Sequence, residues 1–259
     1  MNNKTIEAKL FSNTSTLTDK ITRYISLVHF LDFLQTKSLH MSSFTHFKDK
    51  FEGASFKNLK DGRIDGEEAK KSKTSMEVAD RKKVLFSSCW TIGDETISMW
   101  DNYGKSSSDY IAIQFKVKDI IQELDKGNFW IEGKDGMRNN ESENKGKFKP
   151  SSFFYGKIEY VKENEKTKYY IGRFKDKSFK HEKEFRFLVR RRYSTKGNGI
   201  TELNGVKLKI TNLKNMNFKI ITSPYASEST VQSISSILKC QGYVKQQAKQ
   251  SMFKKYLSI

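Results

Sequence analysis

Two glutamates two residues apart, Glu182 and Glu184, are the residues of this sequence best placed to do chemistry. They lie in the stretch FKHEKEFRFLVRRR, residues 179–192. Because side chains alternate between the faces of a strand, a strand here would carry Glu182, Glu184 and Arg186 on one face and the rings on the other. The pattern predicts two carboxylates roughly 7 Å apart that point away from the apolar face.

The sequence leaves three interpretations of this pair open. A solvated sheet edge would give Glu184 and Arg186 an exposed ion pair worth about 0–1 kcal/mol. A structural salt bridge between Glu184 and Arg186, or a nearby lysine, would need no chemical role. The third interpretation is a catalytic carboxylate on a strand whose other face is core.

Four other short stretches hold polar or aromatic residues that could serve a site. They are Arg23 and Tyr24 in KITRYI, Asp49 and Glu52 in FKDKFEG, Ser87 and Ser88 in VLFSSCW, and Trp100 and Tyr103 in TISMWDNYG.

Each of these residues also has an interpretation without chemistry. For Trp100 and Tyr103 that interpretation is core packing with one polar tip. Asp49 and Glu52 could cap a turn around Gly53, and Arg23 could be a surface residue.

Local patterns predict the elements that would position these residues. Residues 21–25 are typical of a strand, Ser26 of a helix cap, and residues 39–41 of a second strand. VLFSSCW and YIAIQF are typical of buried strands, with a short helix between them that ends at Gly104. A last helix is predicted over residues 229–240. The apolar stripe predicted for the first helix is Leu27, Phe30, Leu31 and Leu34.

Many short strands and few helices indicate an α+β class, a single domain with a mixed, mostly antiparallel sheet. The chain of 259 residues is long enough for a substantial core, and 13% aromatic residues predict that rings fill much of it. Residues 57–82 have the composition of a charged loop, and residues 131–149 that of a mobile insertion within the single domain, 1–259.

The formal net charge of +18 predicts a polyanionic partner, since such a field attracts RNA, DNA or an anionic membrane. The alternative is a lysine-rich composition without function. No run approaches 18 apolar residues and the start has no signal-peptide pattern, so we expect a cytoplasmic protein without a membrane partner. Two cysteines and four scattered histidines do not predict a metal site.

Five motifs in order resemble the bacterial family called domain of unknown function 2971, over nearly the full chain. They are TRYISLVHFLDFL, FKDKFEG, LFSSCW, SMWDNYG and the Glu-x-Glu-x-Arg of Glu182, Glu184 and Arg186. The second motif has Lys50 where the family pattern has proline. The family name implies no chemistry.

The order Arg23 and Tyr24, then Ser87 and Ser88, then Glu182 and Glu184 also resembles mono-ADP-ribosyltransferases, including toxin-like enzymes that modify nucleic acid. That resemblance implies an ADP-ribosyltransferase-like fold and NAD as the substrate that donates ADP-ribose. The intervals between these residues are longer than is usual in that superfamily.

The same resemblance implies roles for the candidate residues. Glu184 would stabilise the oxocarbenium-like centre that forms when the nicotinamide–ribose bond breaks, and Glu182 would orient or deprotonate the nucleophile. The cofactor-binding roles would fall to Arg23 on the pyrophosphate, Tyr24 on nicotinamide, and Ser87 and Ser88 on ribose or the catalytic carboxylate. The supporting residues would be Asp49, Glu52, Trp100, Tyr103 and Arg186.

The expected function is therefore NAD-dependent ADP-ribosylation of nucleic acid, RNA in preference to DNA, by a toxin-like effector of bacterial defence. Exposed rings such as Trp90 or Trp130 could stack on bases, and an antitoxin-like protein could restrain the enzyme. One alternative is a metal-dependent nuclease in which Asp49, Glu52 and Glu184 hold a divalent ion. The other is a noncatalytic nucleic-acid-binding protein.

Overall fold

The computed structural model describes residues 8–10, 19–47, 82–125, 131–133, 147–148, 150–161, 172–191, 203–210 and 212–257. The chain forms two compact units. Unit 1 comprises Met1–Asn13, His40–Ser88 and Trp130–Leu208, and unit 2 comprises Thr14–Leu39, Cys89–Phe129 and Lys209–Ile259. The expectation of a single domain stays a prediction.

The described residues form fourteen strands, five α-helices and three short 3-10 helices. The strands are β1 (Ala8–Leu10), β2 (Lys20–Ser26), β3 (Ser38–Ser43), β4 (Leu85–Ile92), β5 (Tyr110–Lys116), β6 (Ile131–Gly133), β7 (Lys147–Phe148), β8 (Pro150–Lys157), β9 (Glu159–Val161), β10 (Phe174–Asp176), β11 (Glu184–Arg191), β12 (Gly205–Lys209), β13 (Phe218–Thr222) and β14 (Ala248–Gln250). The α-helices are α1 (Leu27–Thr36), α2 (Ile97–Gly104), α3 (Val117–Asp125), α4 (Glu228–Cys240) and α5 (Lys254–Leu257). The 3-10 helices are Phe44–His46, Lys177–Glu182 and Leu213–Asn215.

Unit 2 contains a mostly antiparallel sheet in which β5 pairs with both β2 and β13. Strand β14 adds in parallel to β13, and the last residues of β4 pair with β2 at Ile21 and Thr22. Helices α1 to α5 fall in this unit.

Side-chain caps start α1 and α2, and the sequence predicts the first of these caps. Ser26 accepts a hydrogen bond from the His29 amide at the start of α1, and Thr96 accepts one from the Met99 amide at the start of α2. Such caps satisfy amides that have no partner within the helix. The apolar side of α1 buries Phe30, Phe33 and Leu34.

Aromatic rings fill the core of unit 2, as the composition predicts. Phe115 stacks on Phe218 with ring centroids 4.9 Å apart, and Phe33 contacts both rings edge-on. A second cluster contains Tyr24, Met99 and Trp100. Ring pairs of this kind add stabilisation beyond the apolar area that they bury.

Unit 1 contains the strand that carries Glu184. Strand β11 pairs antiparallel with β8, which pairs in parallel with β1, and β11 also pairs with β4. Strands β9 and β10 form a separate parallel pair. The alternation of β11 places Phe185 and Phe187 in the core, where Phe187 stacks on Phe153 at 6.1 Å.

The other face of β11 packs on a second apolar cluster of unit 1. Leu188 lies there with Phe44, Val84 and Leu85. Strand β11 therefore has core on both faces, and Glu184 and Arg186 are buried with it.

The predicted α+β class with a mixed, mostly antiparallel sheet and few helices is confirmed. Within the predicted stripe of α1, Leu27 and Leu31 are only partly buried, and Phe33, which was not predicted, is buried. Most of the loop at 57–82 and of the insertion at 131–149 lies outside the described residues. The described ends of the insertion, β6 and β7, pair with each other. None of the described helices is long and apolar enough to cross a membrane.

Candidate functional site

The strand predicted to hold both glutamates begins later than expected, at Glu184. Residues Lys177–Glu182 form a 3-10 helix, and Lys183 ends it in the left-handed conformation with φ 45° and ψ 49°. Asp176 starts this helix by accepting a hydrogen bond from the Ser178 amide. The Ser178 side chain, and after it the Ser178 amide, lower the pKa of the Asp176 carboxyl. The prediction that Glu182 and Glu184 lie on the same face of one strand is therefore wrong, because a capped turn that contains Glu182 precedes the strand.

The two carboxylates nevertheless meet, because Lys175 lies between them. Its Nζ is 2.6 Å from Glu182 Oε2 and 3.2 Å from Glu184 Oε2. Arg186 completes the group through Nε, 2.6 Å from Glu184 Oε1, and through Nη2, 2.9 Å from Glu184 Oε2. We call Lys175, Glu182, Glu184 and Arg186 the ionic tetrad. Its formal charges sum to zero.

The tetrad lies inside unit 1 and not at a solvated edge. Arg186 has no exposed surface, Glu184 is 4% exposed, and Glu182 and Lys175 are each 7% exposed. The edge interpretation is therefore wrong, and the salt bridge between Glu184 and Arg186 is present. Removing one partner of such a buried pair typically costs about 3–5 kcal/mol, because the remaining charge loses its counterion.

Aromatic rings and backbone groups enclose the tetrad. The Arg186 guanidinium carbon is 5.7 Å from the ring centroids of both Phe44 and Phe47. Arg186 Nη1 donates to the Gly172 carbonyl at 3.1 Å. Gly172 has φ +84°, and a Cβ there would overlap Leu188, so the close approach requires glycine.

Tyr160 lies beside the tetrad and contacts Glu184. Its hydroxyl oxygen accepts a hydrogen bond from the Glu184 amide at 2.6 Å. Burial raises the pKa of Tyr160 to about 12. The phenol therefore stays neutral next to the carboxylates at neutral pH.

The two serines lie in β4, and both are buried, Ser87 at 1% and Ser88 at 0% exposure. Ser87 Oγ donates to the Phe187 carbonyl of β11 at 3.2 Å. Ser87 thus fastens β4 to the strand that begins at Glu184, three residues before Phe187. Its predicted contact with ribose stays a prediction.

Arg23 and Tyr24 lie in β2 of unit 2. The Arg23 guanidinium carbon is 5.9 Å from the centroid of Trp90, and burial lowers the pKa of Arg23, an effect that the neighbouring Cys89 opposes. The Tyr24 hydroxyl oxygen accepts a hydrogen bond from the Thr96 amide, and burial raises the pKa of Tyr24 to about 12.

Trp100 is a core residue with a polar tip, as predicted, whereas Tyr103 is not. Trp100 is 1% exposed and packs edge-on against Tyr24, with centroids 4.8 Å apart. Tyr103 is 42% exposed, since it lies on the solvent side of α2. Trp90 is 2% exposed, so the expectation that it is an exposed stacking ring is wrong.

Sequence reasoning missed two residues that organise these groups, Lys175 and Glu95. Glu95 Oε2 accepts hydrogen bonds from Trp100 Nε1 at 2.7 Å and Ser251 Oγ at 2.6 Å, and Oε1 accepts one from the Met252 amide at 2.9 Å. The position of Glu95 just before the Thr96 cap was the available signal. Lys175 gives no signal, because it stands among many lysines.

Two predicted site residues, Asp49 and Glu52, lie outside the described residues, as does Trp130. Among the residues that the structure describes, no group of three His, Cys, Asp or Glu side chains could hold a metal ion.

One comparison with known proteins gives a match. Residues 99–187 match the model of a family described as protein of unknown function, DUF2971. The predicted resemblance to this family is confirmed over these residues. The matched DUF2971 region begins at Met99 and contains Trp100, Tyr103 and the whole tetrad. No curated protein and no solved structure matches the chain.

Proposed function

We propose that this DUF2971-containing protein is an NAD-dependent ADP-ribosyltransferase that modifies nucleic acid, RNA in preference to DNA. In this proposal it acts in the cytoplasm as a toxin-like effector of bacterial defence, and an antitoxin-like protein restrains it. The two cysteines, Cys89 and Cys240, are both free thiols, which suits a reducing compartment. The net charge of +18 suits a nucleic-acid target.

The observation that carries the proposal is that one ammonium group, Lys175 Nζ, holds both glutamates. The proposed chemistry needs two carboxylates side by side, one to stabilise positive charge and one to accept a proton. Glu182 and Glu184 meet at Lys175 although one ends a helix and the other begins a strand. The chemistry rests on residues of unit 1.

In the proposed reaction the bond between ribose C1′ and the nicotinamide nitrogen breaks, and neutral nicotinamide leaves with the bonding electrons. Positive charge develops at C1′, where the Glu184 carboxylate stabilises it and accepts a hydrogen bond from a ribose hydroxyl. A hydroxyl or amine of the target attacks C1′, and Glu182 takes its proton and passes it to water.

The remaining members of the tetrad have positioning roles. Arg186 fixes the Glu184 carboxylate with two hydrogen bonds from its guanidinium group. Lys175 gives up its contacts as the positively charged nicotinamide ribose approaches. In this proposal the Lys175 ammonium balances both carboxylates until the charge of the substrate replaces it.

Label transfer tests this proposal directly. The full chain is incubated with NAD labelled in its adenylate part and with RNA, DNA or protein, with and without EDTA. The variants are Glu182→Gln and Glu184→Gln, and Glu159→Gln is the matched control, because Glu159 pairs with Arg173 outside the tetrad. Circular dichroism melting shows whether each variant is folded.

We expect transfer to RNA that survives EDTA, falls at least about 100-fold in Glu184→Gln and persists in Glu159→Gln, since charge stabilisation in such sites has this magnitude. Absence of transfer by the native chain would contradict the proposal. So would full activity of a folded Glu184→Gln variant. Strand cleavage that requires a divalent metal would instead support the nuclease alternative.

One observation favours a second function, noncatalytic nucleic-acid binding. The tetrad is neutral, buried and hydrogen-bonded throughout, which suits a purely structural role. Salt-sensitive binding of RNA or DNA without label transfer or cleavage would support this function.

A further inference from the structure

Unit 2 exposes tyrosines and lysines where two adjacent strands end. We define the tyrosine–lysine patch as Tyr225, Met252, Lys254, Lys255 and Tyr256. Tyr225 is 36% exposed, Met252 56% and Tyr256 59%. Lys255 is also exposed.

The sheet brings the two parts of this patch together. Strands β13 and β14 run in parallel with Thr222 opposite Gln250, so the chain leaves both strands at the same end of the sheet. Lys254 Nζ donates to the Ala226 carbonyl at 2.9 Å, which places the start of α5 beside the turn that carries Tyr225. Gln250 Nε2 donates to the Ser223 carbonyl at 2.9 Å.

The backbone beneath the patch is firmly held. Glu95 accepts hydrogen bonds from Ser251 Oγ and the Met252 amide. The Phe253 ring packs on the buried cluster that contains Trp100. Exposed rings on a fixed backbone lose little entropy when a ligand covers them.

The lysines in and near the patch indicate an anionic ligand. After Glu228 the chain carries five lysines and no acidic residue. Lys255 Nζ lies 5.0 Å from the centroid of the Tyr256 ring, so a positive charge accompanies this ring. Two acidic side chains contact the patch: Asp101 accepts a hydrogen bond from the Tyr225 hydroxyl at 3.4 Å, and Glu95 accepts one from the Met252 amide at 2.9 Å.

We propose that the tyrosine–lysine patch binds single-stranded nucleic acid, with bases stacked on Tyr225 and Tyr256 and phosphates held by Lys254 and Lys255. Aromatic rings beside basic side chains are the usual platform for single strands, because every base offers a face for stacking. The inference rests on the proposed function for its choice of target, and it names where the target binds.

A membrane surface is a less suitable ligand for the same residues. Membrane-surface helices present a continuous apolar face over several turns. Helix α5 has only four residues. The exposed apolar side chain that accompanies the tyrosines of the patch is Met252.

The test measures fluorescence anisotropy of a labelled 12-nucleotide oligouridylate, and of the matching oligothymidylate, with the full chain at about 50 and about 200 mM salt. The variants are Tyr256→Ala, Tyr256→Phe, Tyr225→Ala and Lys255→Gln. Val244→Ala and Lys239→Gln are the matched controls, because they truncate an exposed apolar residue and neutralise an exposed lysine elsewhere.

We expect Tyr256→Ala to weaken binding about tenfold and Tyr256→Phe to retain it, because stacking needs only the ring. Lys255→Gln should weaken binding and reduce its salt dependence, whereas both controls should bind as the native chain does. Binding unchanged in both tyrosine-to-alanine variants would overturn the inference. So would binding to vesicles of phosphatidylserine and phosphatidylcholine without binding to either oligonucleotide.

The assay contains no NAD, so its outcome is independent of the transferase reaction. A chain that binds through the patch but transfers no label would contradict the proposed chemistry and leave this inference intact. A chain that transfers label while its patch variants bind normally would support the proposed chemistry and contradict this inference.

Discussion

At the scale of single residues, the tetrad shows how a basic chain accommodates buried charge. Two acids and two bases neutralise one another among the rings of Phe44, Phe47 and Phe179. Each carboxylate accepts hydrogen bonds from positively charged donors, which offset part of the cost of removing the charges from water.

Removing one charged member of the tetrad should therefore lower the free energy of unfolding by more than its share in the removal of an oppositely charged pair. We expect Arg186→Met alone to lower the free energy of unfolding by about 3–5 kcal/mol, because Glu184 loses its main counterion. Arg186→Met combined with Glu184→Gln should cost less than the sum of the single changes. Urea unfolding of the four chains measures this coupling, and additive effects would contradict it.

Three buried or partly buried tyrosines should give the protein a distinct alkaline titration. Burial raises the pKa of Tyr24, Tyr160 and Tyr243 to about 12 in the folded chain, against 10.0 in an unperturbed phenol. The folded state therefore holds these protons while the unfolded state releases them. Their contribution to stability is complete below pH 10 and is lost as the pH rises towards 12.

Absorbance at the phenolate band should show this as a late step that includes Tyr24, Tyr160 and Tyr243. Tyr243→Phe should reduce the amplitude of that step. A single titration centred near pH 10, with the chain still folded, would contradict the assignment.

At the scale of elements, local signals predicted α1, α2, α4 and most of the strands, but neither α3 nor α5. Ser26 caps α1 as expected, because a cap depends on residues only three positions apart. Thr96, which was not predicted as a cap, caps α2 in the same way. The start of β11 was not predictable in this way. Asp176 and Lys183 turn the chain there, and nothing in the alternation of residues 179–192 records that turn.

The tetrad itself was predictable only in part. The sequence indicated Glu184 with Arg186, since the two are neighbours on one strand face. Lys175 and Gly172 come from a separate stretch, and their contacts depend on how β9, β10 and β11 come together in unit 1. Sequence periodicity carries no information about such long-range contacts.

The left-handed residue Lys183 offers a test of that turn. A side chain in this conformation costs about 1–2 kcal/mol, which glycine avoids, although glycine also gains entropy in the unfolded chain. We expect Lys183→Gly to raise the free energy of unfolding by about 0.5–1 kcal/mol. Lys180→Gly is the matched control within the 3-10 helix, and it should lower the free energy of unfolding.

Urea unfolding compares the two glycine variants with the native chain. If Lys183→Gly destabilised the protein as much as Lys180→Gly, the left-handed turn would not exist in solution.

At the scale of the whole molecule, net charge dominates. A formal charge of +18 on 259 residues repels itself, and salt screens that repulsion by shortening the Debye length from about 30 Å at 0.01 M to about 8 Å at 0.15 M. We therefore expect the melting temperature to rise when sodium chloride increases over this range. Calorimetry at fixed pH checks it, and a constant or falling melting temperature would contradict it.

The tetrad provides an internal comparison for this salt experiment, because buried ion pairs are screened by salt much less than exposed ones. The loss of stability in Arg186→Met should accordingly be nearly the same at both salt concentrations. The stabilisation by salt then reports the surface charge alone.

Lys175 has one consequence for chemical labelling. An ammonium that is 7% exposed and contacts two carboxylates should resist acetic anhydride while exposed lysines are acetylated within minutes. The extent of Lys175 acetylation, measured by mass spectrometry, would thus report whether the reagent reaches the interior of unit 1. Because the proposed chemistry requires the Lys175 ammonium to move away from the carboxylates, NAD should increase the acetylation of Lys175. If the tetrad is purely structural, NAD should leave the acetylation of Lys175 unchanged.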